Sequence, residues 1–432
     1  MRAVALIAAT LLLPCGGCNQ RGDAQSPLDY GSLPGLRASP DKALQDELAR
    51  IEEEDGTPQQ LAVVEVAAKD NVAMGFQELF PEGRLDPILE TSEKLFPQRE
   101  FEFDPSQLQK AIDFRQKYDT ERLEVREALK RPRCDLRIDF TAGFFADLSL
   151  VDTMLICARL EAFCAAEALA ENKPARAVES LELMFRMASC LGNEKHFDPR
   201  LKAASLRVET FGVLQALVRR NDMIQRQHLE QLHEVIDKQL STWPDDAWAW
   251  IGDRAVGLHA YEFVRDGELF ALFTEEEVEQ FKKEGVLNQL ATAARRTADA
   301  DTRYYLDTMR RIIESCIDPY YKRVAMFAAI EKDLQTKRNT PEFPLVAGRL
   351  LLLDIDKGHA IQARDRALCE AWVIALALAL GKQVPDYPVN PLTGRPYQHE
   401  KQETLIVVSK IDNDSGDNEF TISVPIPRAN KK

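Results

Sequence analysis

Apolar residues crowd most densely between Val151 and Leu191, in two runs separated by Glu171-Asn172-Lys173. In the second run Ala177, Leu181, Met184, Ala188 and Leu191 recur at helical spacing, and Val178 and Phe185 widen the stripe. Arg176, Glu179, Glu182 and Arg186 fall on the opposite face. Glu182 and Arg186 form an i,i+4 pair in the favourable order, worth about 0.2–0.5 kcal/mol. Pro174 suits a first helical turn, where its missing N–H costs nothing. The first run is apolar almost all round, which predicts a helix inside a layer of helices, with Asp152, Arg159 and Glu167 on its one wetted strip. So short a break predicts that the two helices run antiparallel, with Asn172 turning the chain.

Small residues at Ala165, Ala168 and Ala177 would let this pair approach closely, and in that respect it resembles a tetratricopeptide-type hairpin. The characteristic aromatic and terminal proline positions of that repeat are not all met. Further helical periodicity covers Asp41–Glu54, Gln59–Phe80 (as one helix or two short ones) and Leu108–Leu129. Asp198-Pro199 reads as an N-cap and first-turn proline opening a helix to Arg220. A helix carrying Leu229, Leu232, Ile236 and Leu240 follows. Thr242 to Asp245 resembles a capping box, with Trp248–Val264 after it. Thr274–Glu284, Gly285–Ala298, Asp301–Cys316, Tyr320–Lys337, Pro344–Leu353 and Ala360–Leu380 continue the pattern. The apolar run Ala371–Leu380 is about half the ~20 residues of a membrane span, so it reads as a buried core helix capped by Gly381.

The pattern changes at Lys382. Val384 to Tyr397 carries four prolines and cannot be helical. Thr404–Ile411 and Glu419–Pro425 read as two strands around the turn Asp412–Asp417. The abrupt boundary suggests a dispensable accessory lying against the last helices. The predicted fold is therefore all-α: stacked antiparallel helical hairpins, tetratricopeptide-like or α-solenoid, over residues 41–381, with a small C-terminal β-hairpin module over 382–428.

The N-terminus reads differently again. Arg2, the apolar run Ala3–Leu13 and the small-residue end Gly16-Gly17-Cys18 describe an export signal, too short for a spanning helix. Residues 1–18 resemble a bacterial lipoprotein signal peptide, which implies that Cys18 is acylated and becomes the mature N-terminus, although Cys15 stands where that pattern prefers leucine. Each buried acyl CH₂ contributes about 0.8 kcal/mol, so several chains would hold the protein firmly. Residues 19–40, rich in Gly, Pro, Ser and Asp, form a flexible tether. The expected location is the cell envelope, lipid-anchored and facing the periplasm.

Six cysteines then remain: Cys134, Cys157, Cys164, Cys190, Cys316 and Cys369. Exported proteins can keep disulfides. Cys157 and Cys164 cannot bridge each other, being about 10 Å apart along one helix. The cysteines and histidines lack zinc spacing; His228 and His233 fall on different sides of their helix. A formal net charge of −15 argues against nucleic acid and against an anionic lipid surface as ligand.

The candidate chemistry is thin. No GxSxG, HExxH, P-loop or GxGxxG opening a helix occurs. Glu161 stands out, because it projects into the apolar side of the central hairpin. A buried carboxylate needs a partner or an upward pKa shift. It could be a general acid or ligand-binding group, but an ion pair with an arginine such as Arg207 or Arg254 is the simpler reading. Trp243, Trp248, Trp250, Tyr261 and Phe263 invite a sugar- or peptide-binding reading, yet at helical spacing they read as core. Asp412, Asp414 and Asp417 could offer oxygen ligands to calcium, though the spacing is not that of an EF-hand and a solvated turn is the simpler reading. No other cofactor is implied.

Asn390-Pro391-Leu392-Thr393-Gly394-Arg395-Pro396-Tyr397, followed by a strand and an acidic turn, resembles the C-terminal segment of type II secretion pseudopilins. In that family the strand and acidic loop hold calcium; the Gly-rich loop is only partly reproduced here and the long pilin helix is absent. The same tail recurs in uncharacterised bacterial lipoproteins with helical bodies, to which Asp70–Pro81, Arg133–Gly143 and Ala360–Leu380 are also similar. That resemblance assigns no activity. The expected function is a lipid-anchored envelope protein whose helical-repeat body binds a protein partner. The alternatives are a helical-toroid hydrolase of envelope glycans and an accessory of a secretion or pilus machine.

Overall fold

The computed structural model describes residues 30–63, 66–80, 83–97, 101–220, 224–385, 387, 389–409 and 421–426. The chain builds its core around one helix that has almost no polar face. In chain order the helices are α1 (Pro34–Arg37), α2 (Lys42–Glu53), α3 (Pro58–Leu61), α4 (Leu85–Leu95), α5 (Pro105–Lys117), α6 (Asp119–Ala128), α7 (Ser149–Ala170), α8 (Pro174–Gly192), α9 (Phe197–Val218), α10 (Arg226–Ser241), α11 (Asp246–Asp266), α12 (Glu275–Glu284), α13 (Leu287–Ser315), α14 (Tyr320–Lys337) and α15 (Ile355–Leu380). A three-stranded antiparallel sheet follows: β1 (Gln398–Lys401), β2 (Leu405–Ser409) and β3 (Thr421–Pro425), with β2 in the middle.

Helix α7 is the apolar run of the central pair. Met154, Ile156, Cys157, Ala158, Leu160, Ala162, Phe163 and Ala165 are fully buried on all its sides. It packs along α8, and α8 along α9. Asn172 turns the chain with φ 58, a left-handed conformation that asparagine tolerates. Burying a side chain such as Phe163 contributes about 1.5–3 kcal/mol. This core extends to α15 and to one face of the sheet, where Ile406, Val408, Ile422 and Val424 are all buried. The strands thus lie against the last helices, as expected, and their apolar face belongs to the main core. Gln215 of α9 bonds both ways to the Ser423 backbone, and Tyr397 donates to Glu370 of α15. A second core joins α2, α11, α13 and α14 through Leu44, Ile51, Tyr261, Tyr305, Met309 and Phe327.

Several boundaries differ from the periodicity, each for a local reason. Leu108–Leu129 is two helices, broken at Tyr118, where φ −115 and ψ 28 leave the helical region. Gln59–Phe80 is the short α3 followed by 3₁₀ turns, because Asn71 spends its side chain on Ala73 N–H and Asp135 rather than continuing a helix. Helix α9 begins one residue before Asp198, and His196 supplies the cap. Asp245 alone caps α11, through Ala247 N–H. Gly285–Ala298 and Asp301–Cys316 fuse into the single α13. The all-exposed edge strand β1 was not expected.

Gly143 matters to how the first core closes. Its φ 54 and ψ −122 suit glycine alone, and a Cβ there would lie 2.1 Å from His259 Nδ1.

Candidate functional site

Glu161 lies in the middle of α7, 1% exposed, so its charge must be answered inside the protein. Arg122 Nη1 donates to Oε1 at 3.2 Å and Arg126 Nε to the same oxygen at 2.8 Å. Arg126 Nη2 donates to Oε2 at 2.6 Å, and the Ser180 hydroxyl to Oε2 at 2.8 Å. Each oxygen thus accepts two hydrogen bonds, which engages the lone pairs a substrate or a transferred proton would need. Burial opposes the charge on Arg126, but Glu161 outweighs it and raises the guanidinium's affinity for its proton. The partners come from α6 and α8, not from Arg207 or Arg254.

Two further charges on α7 repeat the arrangement. Arg159 reaches Glu209 of α9 at 2.9 Å and Ser92 of α4 at 3.2 Å. It is only 7% exposed, so the strip it shares with Asp152 and Glu167 is not wetted there. Glu167 accepts from Arg115 of α5 and Arg176 of α8, each at 3.2 Å. The polar residues of α7 therefore clamp α4, α5, α6, α8 and α9 to one central helix. Near its start, burial pushes the Asp152 carboxyl up to about 6, with Asp86 and Glu93 adding to the rise against Lys202.

A second polar network follows α15. Arg207 of α9 pairs with Asp365 and donates to Gln239 Oε1 at 3.2 Å, while its guanidinium lies 4.7 Å over the Trp243 ring. One end further along, Arg323 of α14 donates to His359 Nδ1 at 2.9 Å, to Asp246 at 3.1 Å and to the Cys316 carbonyl at 2.8 Å. An arginine can only donate, so Nδ1 of His359 accepts and the proton of the neutral ring sits on Nε2. Burial, with Arg323 beside it, holds His359 well below the usual histidine range. Trp250 stacks on the same ring at 4.0 Å and donates to Gln362 at 3.0 Å. Burial also pushes Asp365 up, against the pull of Arg207. Among the described residues, His359 Nε2, Gln362 Nε2 and Asp365 Oδ1 have no hydrogen-bond partner.

The aromatic group divides. Trp250, Tyr261 and Phe263 are core, whereas Trp248 is 43% exposed beneath Lys195. Asp301 had the look of a helix start. Instead it sits within α13 and accepts Val346 and Ala347 N–H at 2.8 and 2.9 Å, capping the turn Ala347–Leu351. Glu262 does the same for the first described helix, accepting from Gly35 and Leu36 N–H at 2.8 and 2.7 Å.

Neither of two surface hollows touches these networks. One, about 420 Å³, is lined by Met74, Glu78, Glu124, Glu127 and Arg131; the other, about 350 Å³, by Asn288, Thr292 and Arg296. Cys18, Asp412, Asp414 and Asp417 lie outside the described residues. Among the described residues no group of acidic, cysteine or histidine side chains is disposed to hold a metal ion, and no helix is long and apolar enough to cross a membrane. No local signal in the sequence marks the second network, because Arg323 and His359 stand among other charged residues of α14 and the first half of α15. In comparison with known proteins, no family model, no curated protein and no solved structure matches the chain.

Proposed function

We propose that this chain is a lipid-anchored envelope protein whose helical body, a stack of antiparallel hairpins, binds a protein partner. The observation that carries this reading is a set of exposed apolar side chains on one junction of the body. Ile317 is 92% exposed in the turn between α13 and α14, and Val324 is 44% exposed on α14. Arg323 ties that turn, through the carbonyls of Cys316 and Asp318, to Asp246 at the start of α11, where Trp248 is exposed. Water-exposed apolar groups held by a rigid buried arginine suit protein contact.

The anchoring half of the proposal rests on Arg2, Ala3–Leu13 and Gly16-Gly17-Cys18. The resemblance of the tail to that of helical lipoproteins agrees with it. Because each oxygen of Glu161 already accepts two hydrogen bonds, that carboxylate suits a clamp better than a general acid for glycan hydrolysis. Fractionation tests the anchor: Cys18→Ser should move the protein from membrane to soluble fraction and abolish labelling by a fatty-acid analogue. Unchanged partition with labelling retained would overturn the lipid anchor.

A further inference from the structure

The segment after α6 runs alongside the end of α8, and the two are pinned to each other at both ends. Arg186 of α8 donates Nε to the Leu129 carbonyl at 2.6 Å and Nη2 to the Arg131 carbonyl. Glu194, two turns further on, accepts from Leu136 N–H at 2.8 Å. Between these points one segment advances from Arg131 to Leu136, and the other from Arg186 through the end of α8 at Gly192 to Glu194. Cys134 and Cys190 are the residues that fall opposite each other in that register. Helical spacing puts Cys190 one turn from Arg186, on the same face.

The segment is also held from its other side, so Cys134 has little freedom to leave. Val72 N–H donates to the Arg133 carbonyl at 2.8 Å and Arg133 N–H to the Asp70 carbonyl at 3.2 Å. The Asn71 side chain brackets Asp135, donating to its carbonyl at 2.7 Å and accepting its N–H at 3.0 Å. Cys190 is 5% exposed and belongs to the main core, with Cys134 packed against the same core. Both are free thiols here, within hydrogen-bonding reach of each other. The other four cysteines differ: Cys157 and Cys164 sit on one helix, Cys316 lies in the second core, and Cys369 sits within α15.

We propose that Cys134 and Cys190 are a disulfide-forming pair that staples the segment after α6 to α8. In forming the bond each sulfur gives up its proton, and the two electrons pass to an incoming disulfide, either oxidised glutathione or a protein dithiol oxidase. That disulfide is reduced to two thiols, and the reaction runs through a mixed disulfide with one of the two cysteines. The closed loop would contain all of α7 and most of α8, so the bond would constrain the unfolded chain around the first core. The hydrogen bond to Cys190, together with burial, pushes the Cys134 thiol up and keeps it protonated in the folded protein. Thiolate is the attacking species, so the bond forms during folding faster than in the finished protein.

The test uses the full chain, purified reduced and then either refolded or held folded in a reduced/oxidised glutathione buffer. Free thiols are alkylated, and tryptic peptides are mapped without reduction. The expected product joins Cys134-Asp-Leu-Arg137 to Met187–Lys195, formed in most refolded molecules and more slowly in the folded sample. Its melting temperature should exceed that of the reduced protein by several degrees, and Cys134→Ser should abolish the difference while Cys316→Ser leaves it. If the joined peptide forms in neither sample, or no more often than links to Cys157, Cys164, Cys316 or Cys369, the pairing is wrong. The pairing rests on the export reading only for its natural oxidant. A link that forms in glutathione but is missing from protein isolated from cells would count against the envelope location, not against the pair.

Discussion

Two buried charge networks, one on α7 and one along α15, solve the same problem differently. Glu161 has both oxygens filled by Arg122, Arg126 and Ser180. Asp365 pairs through one oxygen with Arg207, and its other oxygen has no partner among the described residues. The cause lies in what surrounds each helix. Helix α7 meets α6 and α8 on the side of Glu161, and both bring long or hydroxylated donors. Around His359, Gln362 and Asp365, α15 meets apolar neighbours and aromatic rings that bring few donors: Trp250 serves Gln362, and Arg323 serves His359. A fully paired carboxylate stabilises as long as its partners remain, whereas a partly paired one already carries much of its desolvation cost.

Glu161→Gln should have the largest effect of the substitutions that separate the two. It takes away the buried carboxylate that Arg122 and Arg126 share and leaves them only Asp119 and Glu179 at the edge of the network, and it should cost about 3 kcal/mol in denaturant unfolding. Combining Glu161→Leu with Arg122→Met and Arg126→Met should recover most of that loss, because apolar replacement of a whole buried network is often neutral. A triple variant no better than Glu161→Gln would break the interpretation. Asp365→Asn should cost less, about 1–3 kcal/mol, since Arg207 keeps Gln239 and the Trp243 ring and the carboxylate is already penalised by burial.

The pH dependence should separate the networks further. The folded pKa of His359 lies below its unfolded value, so its contribution is complete above about 6.5 and is lost as pH falls through the folded value. His359→Phe keeps a ring against Trp250 and should reduce the loss of melting temperature between neutral and acid pH; an unchanged acid limb would remove His359 from the account. Asp365 has the opposite sign: its raised pKa supplies stability below the ordinary aspartate range, lost as pH rises through the folded value. The smallest effect is expected of Gln362→Met, within about 1 kcal/mol, because one hydrogen bond to Trp250 is exchanged for the removal of an unpartnered amide nitrogen. Denaturant midpoints of the wild type and this variant check it.

Much of the helical order was legible because α7, α8 and α15 carry strong apolar patterns. Glu161 was legible for the same reason, as a carboxylate among apolar neighbours. Its partners were not, because Arg122 and Arg126 look like ordinary surface charges until α6 is laid against α7. The same limit hid Asp301 and Glu262. An aspartate inside a helix caps a turn some forty-five residues later, and no local rule points to so distant an N–H. Gly394 and the prolines around it marked a change of structure correctly, but the burial of Val424 and Ile406 in the main core depends on which helix face they meet. Composition showed that boundary, and the need to bury one face of the strands pointed to the last helices, but not to which of their faces.

The central claim is that the anchored body meets a protein partner at the junction of α11, α13 and α14. A photo-crosslinking residue placed at Ile317, compared in intact envelopes with one at exposed Lys110 on α5, tests it most directly. A discrete crosslinked species should form from position 317, not from position 110, and should disappear when Cys18→Ser frees the protein from the membrane. No species from position 317, or the same species from both positions, would contradict the claim.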